Sequence, residues 1–510
     1  MVADAGLMIP THFNLARHCL EPATRATPDK TALIVVSDVD ATRQAERWTY
    51  AELDLATRRV AAGLLATGLR PGDRIMLRLP NTSDYALLFF GAIAAGLVPI
   101  PVSAQLTETE VAFLLDDCQA AAITQVGSLA VAAVPAGCRV LDETAINRLK
   151  ASPPAGYADT EAEAPAYMIY TSGTSTRPKG VVHAHRTALG RTPMHGDWQG
   201  LTAGDVMLHA GAFNWSYTLG VGLLDPWACG ATAVLYNGPK DIEVWPKLID
   251  AVGATLFAAV PSLYRQILKY CSLTPDSLAT LRHGLAAGEA LSPAILDAWR
   301  MATGREIYEA FGMSECSTFV SNRQGMPIRP GSPGKPQRGR RIAILPVSGP
   351  AEPLPAGEIG LLAIHRGDAG LMRGYWRRPD EDERVFHGEW FAGGDLAAFD
   401  EDGYLWYHGR ADDLMNAGGF RVSPLEVEAA LAPCPGVAEI AVAEHRVRDD
   451  VSVIAAFVVR KDGANVSAED IAALATERLA AYKRPKQVFF VPALPRSANG
   501  KLLRRNLSPV

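Results

Sequence analysis

Seven cysteines are spread over 510 residues, never closer than twenty positions, and no Cys-x-x-Cys occurs. That scarcity suggests neither a zinc site nor a disulfide framework, so a reducing cytoplasm is the expected compartment. No Lys or Arg precedes Arg17, and the apolar patch Leu7 to Pro10 is too short for the core of a secretory signal. The longest apolar stretch, Tyr85 to Val102, is broken by Gly91, Gly96, Pro99 and Pro101 and is followed by Thr107-Glu-Thr-Glu110. It reads as a buried helix plus a strand, not as a membrane span. Charge of one sign is also scarce. Forty-nine basic and 55 acidic residues are intermixed at a net charge of −6, which leaves no long basic face for nucleic acid. There is no internal repeat. What remains is 48% apolar and 20% charged, an ordinary globular composition in a chain longer than one core supports, so two or more domains are expected.

Apolar runs and helical patterns alternate through the first half. A strand at Ala32 to Val36 precedes a helix from about Tyr50 to Ala66 that ends at Gly68, then a strand at Arg74 to Leu79. A helix opens at Thr107, where Thr-x-x-Glu to Glu110 forms a capping box. Such alternation argues for an α/β fold with parallel sheet. Residues 144 to 165 are rich in Ala, Pro, Glu and Asp and read as a surface connection.

That connection delivers Tyr170-Thr-Ser-Gly-Thr-Ser-Thr-Arg-Pro-Lys179-Gly180, set between the apolar run Ala166 to Ile169 and a helix-like segment from about Val181. Gly173 permits backbone angles that turn successive amides toward one anion. Thr171, Ser172, Thr174 and Ser175 add hydroxyl donors, and Lys179 adds a positive charge. A plain Ser/Thr-rich turn is the competing reading, but this concentration after a buried strand favours a phosphate-holding loop. The Walker pattern fails, because Gly173 is followed five places later by Pro178 and Lys179 by Gly180.

Further along, Phe213-Asn214-Trp215-Ser-Tyr217 places aromatics among small residues, as a core or an apolar ligand pocket would. Ala254 to Val260 ends at Pro261, three residues before Tyr264, and Leu285-Ala286-Ala287-Gly288-Glu289-Ala290 is a second strand end whose small residues admit a ligand against backbone. Glu309-Ala-Phe311-Gly312-Met-Ser314-Glu315 offers a flat ring, a hydroxyl and a carboxylate within five residues, suited to a purine and to a cation beside phosphates. Asp395 after Gly393-Gly394, and Arg410 before Asp412, suit a ribose diol, since a carboxylate accepts two hydroxyl protons and a guanidinium donates to the same oxygens. Lys501 follows a turn near the carboxyl end.

Together these ordered motifs resemble the acyl-adenylate-forming superfamily of acyl-CoA synthetases, amino-acid adenylation domains and luciferases, over about Ala32 to Leu503. The resemblance implies a large multi-subdomain amino-terminal domain with parallel and mixed sheets, residues 1–411. A small mobile α+β domain, residues 412–510, would follow, with Asp412 as hinge. It implies ATP, Mg²⁺ and coenzyme A as ligands. Residues 170 to 180 then hold the β and γ phosphates, Phe311 stacks on adenine next to Gly312, Ser314 contacts the α phosphate and Glu315 binds Mg²⁺. Asp395 and Arg410 hold the ribose, Lys501 bridges carboxylate and α phosphate, and Gly418, Gly419 and Arg421 line the pantetheine channel. Expected partners are small molecules, with a homodimer the assembly carried forward.

Three departures from the family pattern stand out. Thr176 occupies a usual glycine position, Phe311 a usual tyrosine and Ser314 a usual threonine. Against amino-acid adenylation, Asn214 stands where such domains carry an aspartate. The expected reaction is ATP-dependent carboxylate–CoA ligation. Transfer of the acyl group to a carrier protein is the alternative, and an inert nucleotide-binding scaffold is a third. The acyl pocket is expected from Phe213 to Tyr217, Tyr264 and Leu285 to Gly288. It holds no charged side chain, which excludes dicarboxylates and favours a benzoate-like or cyclic acid, then a medium chain. The wording around Asp225-Pro-Trp-Ala and Ser317 to Asn322 resembles the benzoate and medium-chain ligases.

Overall fold

The computed structural model describes residues 8–127, 129, 133–171, 178–413, 415–417, 420–448, 451–496 and 502–509. The chain condenses into two compact units, residues 1–341 with 364–389, and residues 342–363 with 390–510.

The first unit is organised by a nine-stranded sheet. From one edge its order is Lys335–Pro336, Ser317–Ser321, Ile307–Met313, His283–Ala287, Leu256–Ala259, Val206–His209, Thr232–Tyr236, Thr31–Val36 and Glu46–Thr49. The strands from Ile307–Met313 to Thr31–Val36 are parallel, and antiparallel pairing is confined to the two margins. The sequence accounts for this. Thr31–Val36 reads TALIVV and is buried on both faces past its first residue, as a strand covered by helices on each side must be. The helix Tyr50–Ala66 starts on a complete capping box, in which the Thr49 side chain accepts from the Glu52 amide and the Glu52 side chain returns to Thr49. A second parallel sheet runs Val98–Pro101, Arg74–Leu77, Ala122–Thr124, Arg139–Leu141.

The apolar stretch from Tyr85 forms the buried helix Ser83–Ala94 and the strand Val98–Pro101, as its glycines and prolines suggest. Gly91 lets this helix close on its neighbour, since a Cβ there would stand 2.5 Å from Val60 Cγ1. Phe89, Phe90 and Trp227 are fully buried beside them, and truncating any of these to alanine would cost about 3–5 kcal/mol. No helix among the described residues is long and apolar enough to cross a membrane.

Two expectations are corrected. The segment from Val181 is not helical: Lys179–Ala184 is a strand buried throughout, antiparallel to Pro165–Thr171 on one side and Gly374–Tyr375 on the other. A short run buried on every side has the same composition in a strand and in a helix, and here two pairing partners decide. Within 144 to 165, the chain forms a helix, Glu143–Lys150, capped by Asp142 and anchored by buried Ile146 and Leu149, before it becomes irregular.

Ile342–Leu345, Gly360–His365 and Trp390–Phe399 are consecutive strands of a five-stranded sheet lying largely in the second unit, and Leu405–Arg410 pairs antiparallel with Trp390–Phe399. Beyond it lie the hairpin Met415–Ala417 with Phe420–Val422, and the sheet Val437–Arg448, Val451–Arg460, Gln487–Phe490 packed on the helices Pro424–Leu431 and Ala468–Arg478.

Candidate functional site

The phosphate-loop motif begins and ends on two paired strands. Thr171 ends one strand, Lys179 begins the next, and the two residues are paired in register. Ser172, Gly173, Thr174, Ser175 and Thr176 lie outside the described residues. Lys179 is buried; its Nζ sits 2.6 Å from Glu381 Oε2 and 5.1 Å over the ring of Tyr375. The Tyr375 hydroxyl in turn donates to Glu315 Oε1 at 2.8 Å, and the Met372 amide donates to the Glu315 carbonyl at 2.7 Å. Tyr375 thus touches both the loop lysine and the carboxylate of the Ser314-Glu315 turn.

That turn is braced from below by a residue the sequence did not single out. His183 Nε2 lies 2.9 Å from the Ser314 carbonyl, and its ring stacks on Tyr167 at 4.6 Å. Burial pushes His183 down to about 3, so it is neutral and donates through Nε2. Ser314 Oγ stands 3.5 Å from Ser216 Oγ. Phe311 is half-buried at the end of strand Ile307–Met313, edge-on to Phe319 at 5.7 Å. At Gly312 a Cβ would meet the Ser317 carbonyl oxygen at 2.4 Å, so only glycine lets the two strands close here.

The acyl-pocket candidates divide by strand parity. Leu285 and Ala287 point into one cluster with Tyr217, against which Trp215 packs, whereas Ala286 points into the opposite layer with Tyr264. Tyr264 is fully buried there, its hydroxyl donating to Phe257 O at 2.8 Å. The structure therefore brings Trp215, Tyr217, Ala287 and Gly288 together and leaves Tyr264 and Ala286 on the other face. Trp215 and Tyr217 meet edge to face at 5.2 Å, and a Cβ on Gly288, whose φ is +91°, would lie 2.7 Å from Trp215 Cη2. Phe213 is buried with its backbone pinned, its carbonyl accepting from Tyr85 Oη at 2.9 Å and its amide donating to Asn81 Oδ1 at 3.3 Å. Asn214 beside it is half-buried, Gly288 and Ala290 are exposed, and Glu289 Oε2 accepts from the Ser262 amide at 3.1 Å.

In the second unit Asp395 and Arg410 face each other across a hairpin. Arg410 Nη1 is 3.5 Å from Asp395 Oδ2, its Nε donates to Asp412 Oδ1 at 3.0 Å and its Nη2 to the Gly393 carbonyl at 2.8 Å. Burial alone would lower Arg410, but the two carboxylates outweigh it and hold the guanidinium above its ordinary value. Tyr407 Oη donates to Asp395 Oδ1 at 3.1 Å. Burial raises that phenol first and Asp395 adds to it, which keeps it a donor. Asp412 sits in the short turn Ala411–Asp413. Arg421 falls on the strand Phe420–Val422, its backbone paired with Asn416. Gly418, Gly419 and Lys501 lie outside the described residues.

His183, Tyr375 and Glu381 were missed because each acts on a residue far along the chain: Glu381 is 202 positions from Lys179. The one local signal was Gly374 before Tyr375, whose φ of +147° is a glycine conformation.

Residues 20–376 match the AMP-binding enzyme family and residues 426–501 the AMP-binding enzyme C-terminal domain. The mitochondrial acyl-coenzyme A synthetase ACSM3 of Mus musculus is 30% identical over 534 residues, covering 99% of this chain and 92% of that protein. The benzoate–CoA ligase of Thauera aromatica is 33% identical over 480 residues, covering 90% of each. The crystal structure of ATP-bound MatB from Rhodopseudomonas palustris superposes with a TM-score of 0.88 at 26% identity, covering 96% of this chain and 97% of that one. The chain belongs to the AMP-binding enzymes, as an AMP-forming acid–thiol ligase whose substrates include ATP and CoA.

Proposed function

We propose that this ligase activates a benzoate-like or cyclic carboxylate ahead of a medium-chain fatty acid. The observation that carries the reading is the wall made by Trp215 and Tyr217 against Ala287 and Gly288. It is made of aromatic and small residues without a charged side chain, so its chemistry suits an apolar ring, and a second carboxylate would be desolvated without a partner. The likeness to a benzoate–CoA ligase supports the same choice.

In the proposed reaction the carboxylate oxygen attacks the α phosphorus of ATP, the bond to the bridging oxygen breaks and pyrophosphate leaves. The CoA thiol sulfur then attacks the acyl carbon, its proton is lost and AMP leaves. Two anions meet in the first step, so positive charge must be placed where negative charge develops. We assign Lys501 that role between carboxylate and α phosphate, and Lys179 with Thr171 and Ser172 to Ser175 the β and γ phosphates. For Lys179 this means exchanging Glu381 for phosphate. Phe311 stacks on adenine, Ser314 contacts the α phosphate, and Asp395 with Arg410 holds the ribose hydroxyls.

Mg²⁺ fits the residues present in one way. Among the described residues no cluster of three or more His, Cys, Asp or Glu could cage an ion. A single carboxylate, Glu315, oriented by the Tyr375 hydroxyl, suits a hard cation that keeps phosphate and water ligands. Bound there, it would neutralise phosphate charge. Asp412 is the proposed hinge between residues 1–411 and 412–510, whose rotation withdraws Lys501 and brings Gly418, Gly419 and Arg421 to the pantetheine arm. Seven free cysteines favour a reducing, cytoplasmic location. A homodimer is the proposed assembly, to be checked by light scattering.

A panel of acetate, hexanoate, octanoate, benzoate and cyclohexanecarboxylate, scored by AMP formation, tests the substrate class. Benzoate or the ring acid should give the highest kcat/KM, since each buried CH₂ contributes about 0.8 kcal/mol. Acetate emerging best would refute the pocket reading.

A further inference from the structure

In the helical run that begins at Ser216, the buried Asp225 is engaged on both oxygens. It accepts from Arg191 Nε at 2.6 Å and Nη2 at 2.7 Å, and from Gln199 Nε2 at 2.7 Å. Burial opposes a charge on the adjoining His195, yet its hydrogen bonds to Asp225 and Cys229 outweigh this and raise it to about 9. His209 and Thr218 depart from that economy. They are 5% and 0% exposed, and among the described residues no group meets His209 Nε2 or Thr218 Oγ1. A buried donor left without an acceptor is costly to keep, so the pair calls for a polar group from outside the chain.

The pleat decides which way His209 faces. It ends the strand Val206–His209, in which Leu208 packs in the layer of Tyr264 and Met207 in the layer of Tyr217, so His209, two residues on from Met207, shares the Tyr217 face. In register it stands beside Ala258, and Ala258 beside Leu285, both of that layer. Its ring meets Tyr217 edge to face at 4.4 Å, and Tyr217 meets Trp215 at 5.2 Å. His209 thus lies one ring beyond the proposed acyl wall. The Gly211 amide donates to its Nδ1 at 3.0 Å, which leaves the proton of the neutral ring on Nε2, and burial, pushing His209 down to about 3, keeps it neutral. A Cβ on Gly211 would lie 3.1 Å from His209 Cε1 and 2.1 Å from Thr218 Oγ1, so the imidazole edge and the threonine hydroxyl border the same point. The Tyr217 hydroxyl does not compete, being engaged by the Ala259 and Leu285 carbonyls at 3.4 and 3.3 Å.

Resting on the benzoate-like reading above, we infer that His209 and Thr218 form a polar subsite beside the acyl wall, and that the ring acid taken there carries a hydroxyl. The ring hydroxyl oxygen accepts from His209 Nε2–H and its proton goes to Thr218 Oγ1, so one substituent pairs both groups. A methyl in the same place leaves the imidazole donor unpaired. A second carboxylate is still refused, because neither partner brings a positive charge to it.

The test sets 2-, 3- and 4-hydroxybenzoate against 2-, 3- and 4-methylbenzoate, with benzoate and octanoate alongside, by pyrophosphate release from the full chain. Hydroxyl and methyl are close in size, so the kcat/KM ratio within each pair reads chiefly the hydrogen bond. In wild type one hydroxyl isomer should exceed its methyl partner by about 10–100-fold. His209→Phe, which keeps a ring and removes the donor, should bring that ratio to about one while KM for ATP holds. His209→Gln, which can offer an amide N–H near the same point, should retain part of the preference, and Thr218→Val should reduce it by about 2–10-fold. Should His209→Phe misfold, the wild-type ratios decide alone. The two readings fail differently. Octanoate ahead of every ring acid overturns the benzoate-like reading and this subsite with it. Ring acids in the lead, but with no hydroxyl isomer ahead of its methyl partner or with a preference that His209→Phe leaves intact, overturn the subsite alone.

Discussion

Gly288→Ala is the most direct probe of the proposed acyl wall. Two separate penalties follow from the geometry. The backbone at φ +91° is a region where an L-residue costs about 1–2 kcal/mol relative to glycine. The new methyl would also stand 2.7 Å from Trp215 Cη2 and 2.8 Å from Cζ2, against an ordinary carbon–carbon approach of about 3.5–4.0 Å. Trp215 must retreat by roughly 1 Å, and its edge-to-face contact with Tyr217 at 5.2 Å limits where it can go. If about 1.4–2.8 kcal/mol of this falls on the bound ring, kcat/KM for benzoate drops about 10–100-fold. Acetate, too short to reach the indole, should lose less than about threefold, and KM for ATP should hold. Pyrophosphate release with both acids, beside a melting curve, separates the effects. Equal loss for acetate and benzoate at unchanged Tm would show that Trp215 and Gly288 do not border the acyl group.

Three further outcomes follow. Lys501→Ala should slow acyl-AMP formation by about 10²–10³-fold while supplied acyl-AMP still reacts with CoA, and equal loss in both half-reactions would remove the two-state proposal. Asp412→Pro, which fixes φ near about −65°, should spare adenylation and depress thioester formation, measured as AMP retained against CoA consumed; the reverse pattern would place the hinge elsewhere. Acid should destabilise the first unit: burial lowers His183 and His209 to about 3 and His185 and His283 to about 4. Unfolded histidine titrates near about 6.5, so this stability is complete above that pH and is lost as pH falls toward 4, by about 2 kcal/mol per histidine at pH 5. His195, raised to about 9, acts oppositely, its contribution being lost as pH rises through 9. A Tm that is flat from pH 7 to 5 would contradict the neutral assignment.

Local signals carried most of the fold. The helix Tyr50–Ala66 and the capping boxes at Thr49 and Thr107 depend on side chains three residues apart, so the sequence shows them directly. Pairing is different. Lys179–Ala184 became a strand because Pro165–Thr171 and Gly374–Tyr375 flank it, and nothing within those six residues announces that. Parity along His283–Ala287 was equally hidden: spacing groups Ala286 with Ala287, but the pleat sends them to opposite layers. Asp225 was noted only for its wording, because its meaning lies in Arg191, 34 positions away.

Tyr375 has a consequence for how this enzyme can evolve. Its ring carries Lys179 and its hydroxyl holds Glu315, so two residues 136 positions apart share one support. Substitutions at Lys179 and Glu315 should not combine additively, since the first to alter Tyr375 changes the background in which the second is read. A change at Tyr375 would therefore be felt at both residues at once. Variation at the two positions is thereby coupled through a single phenol.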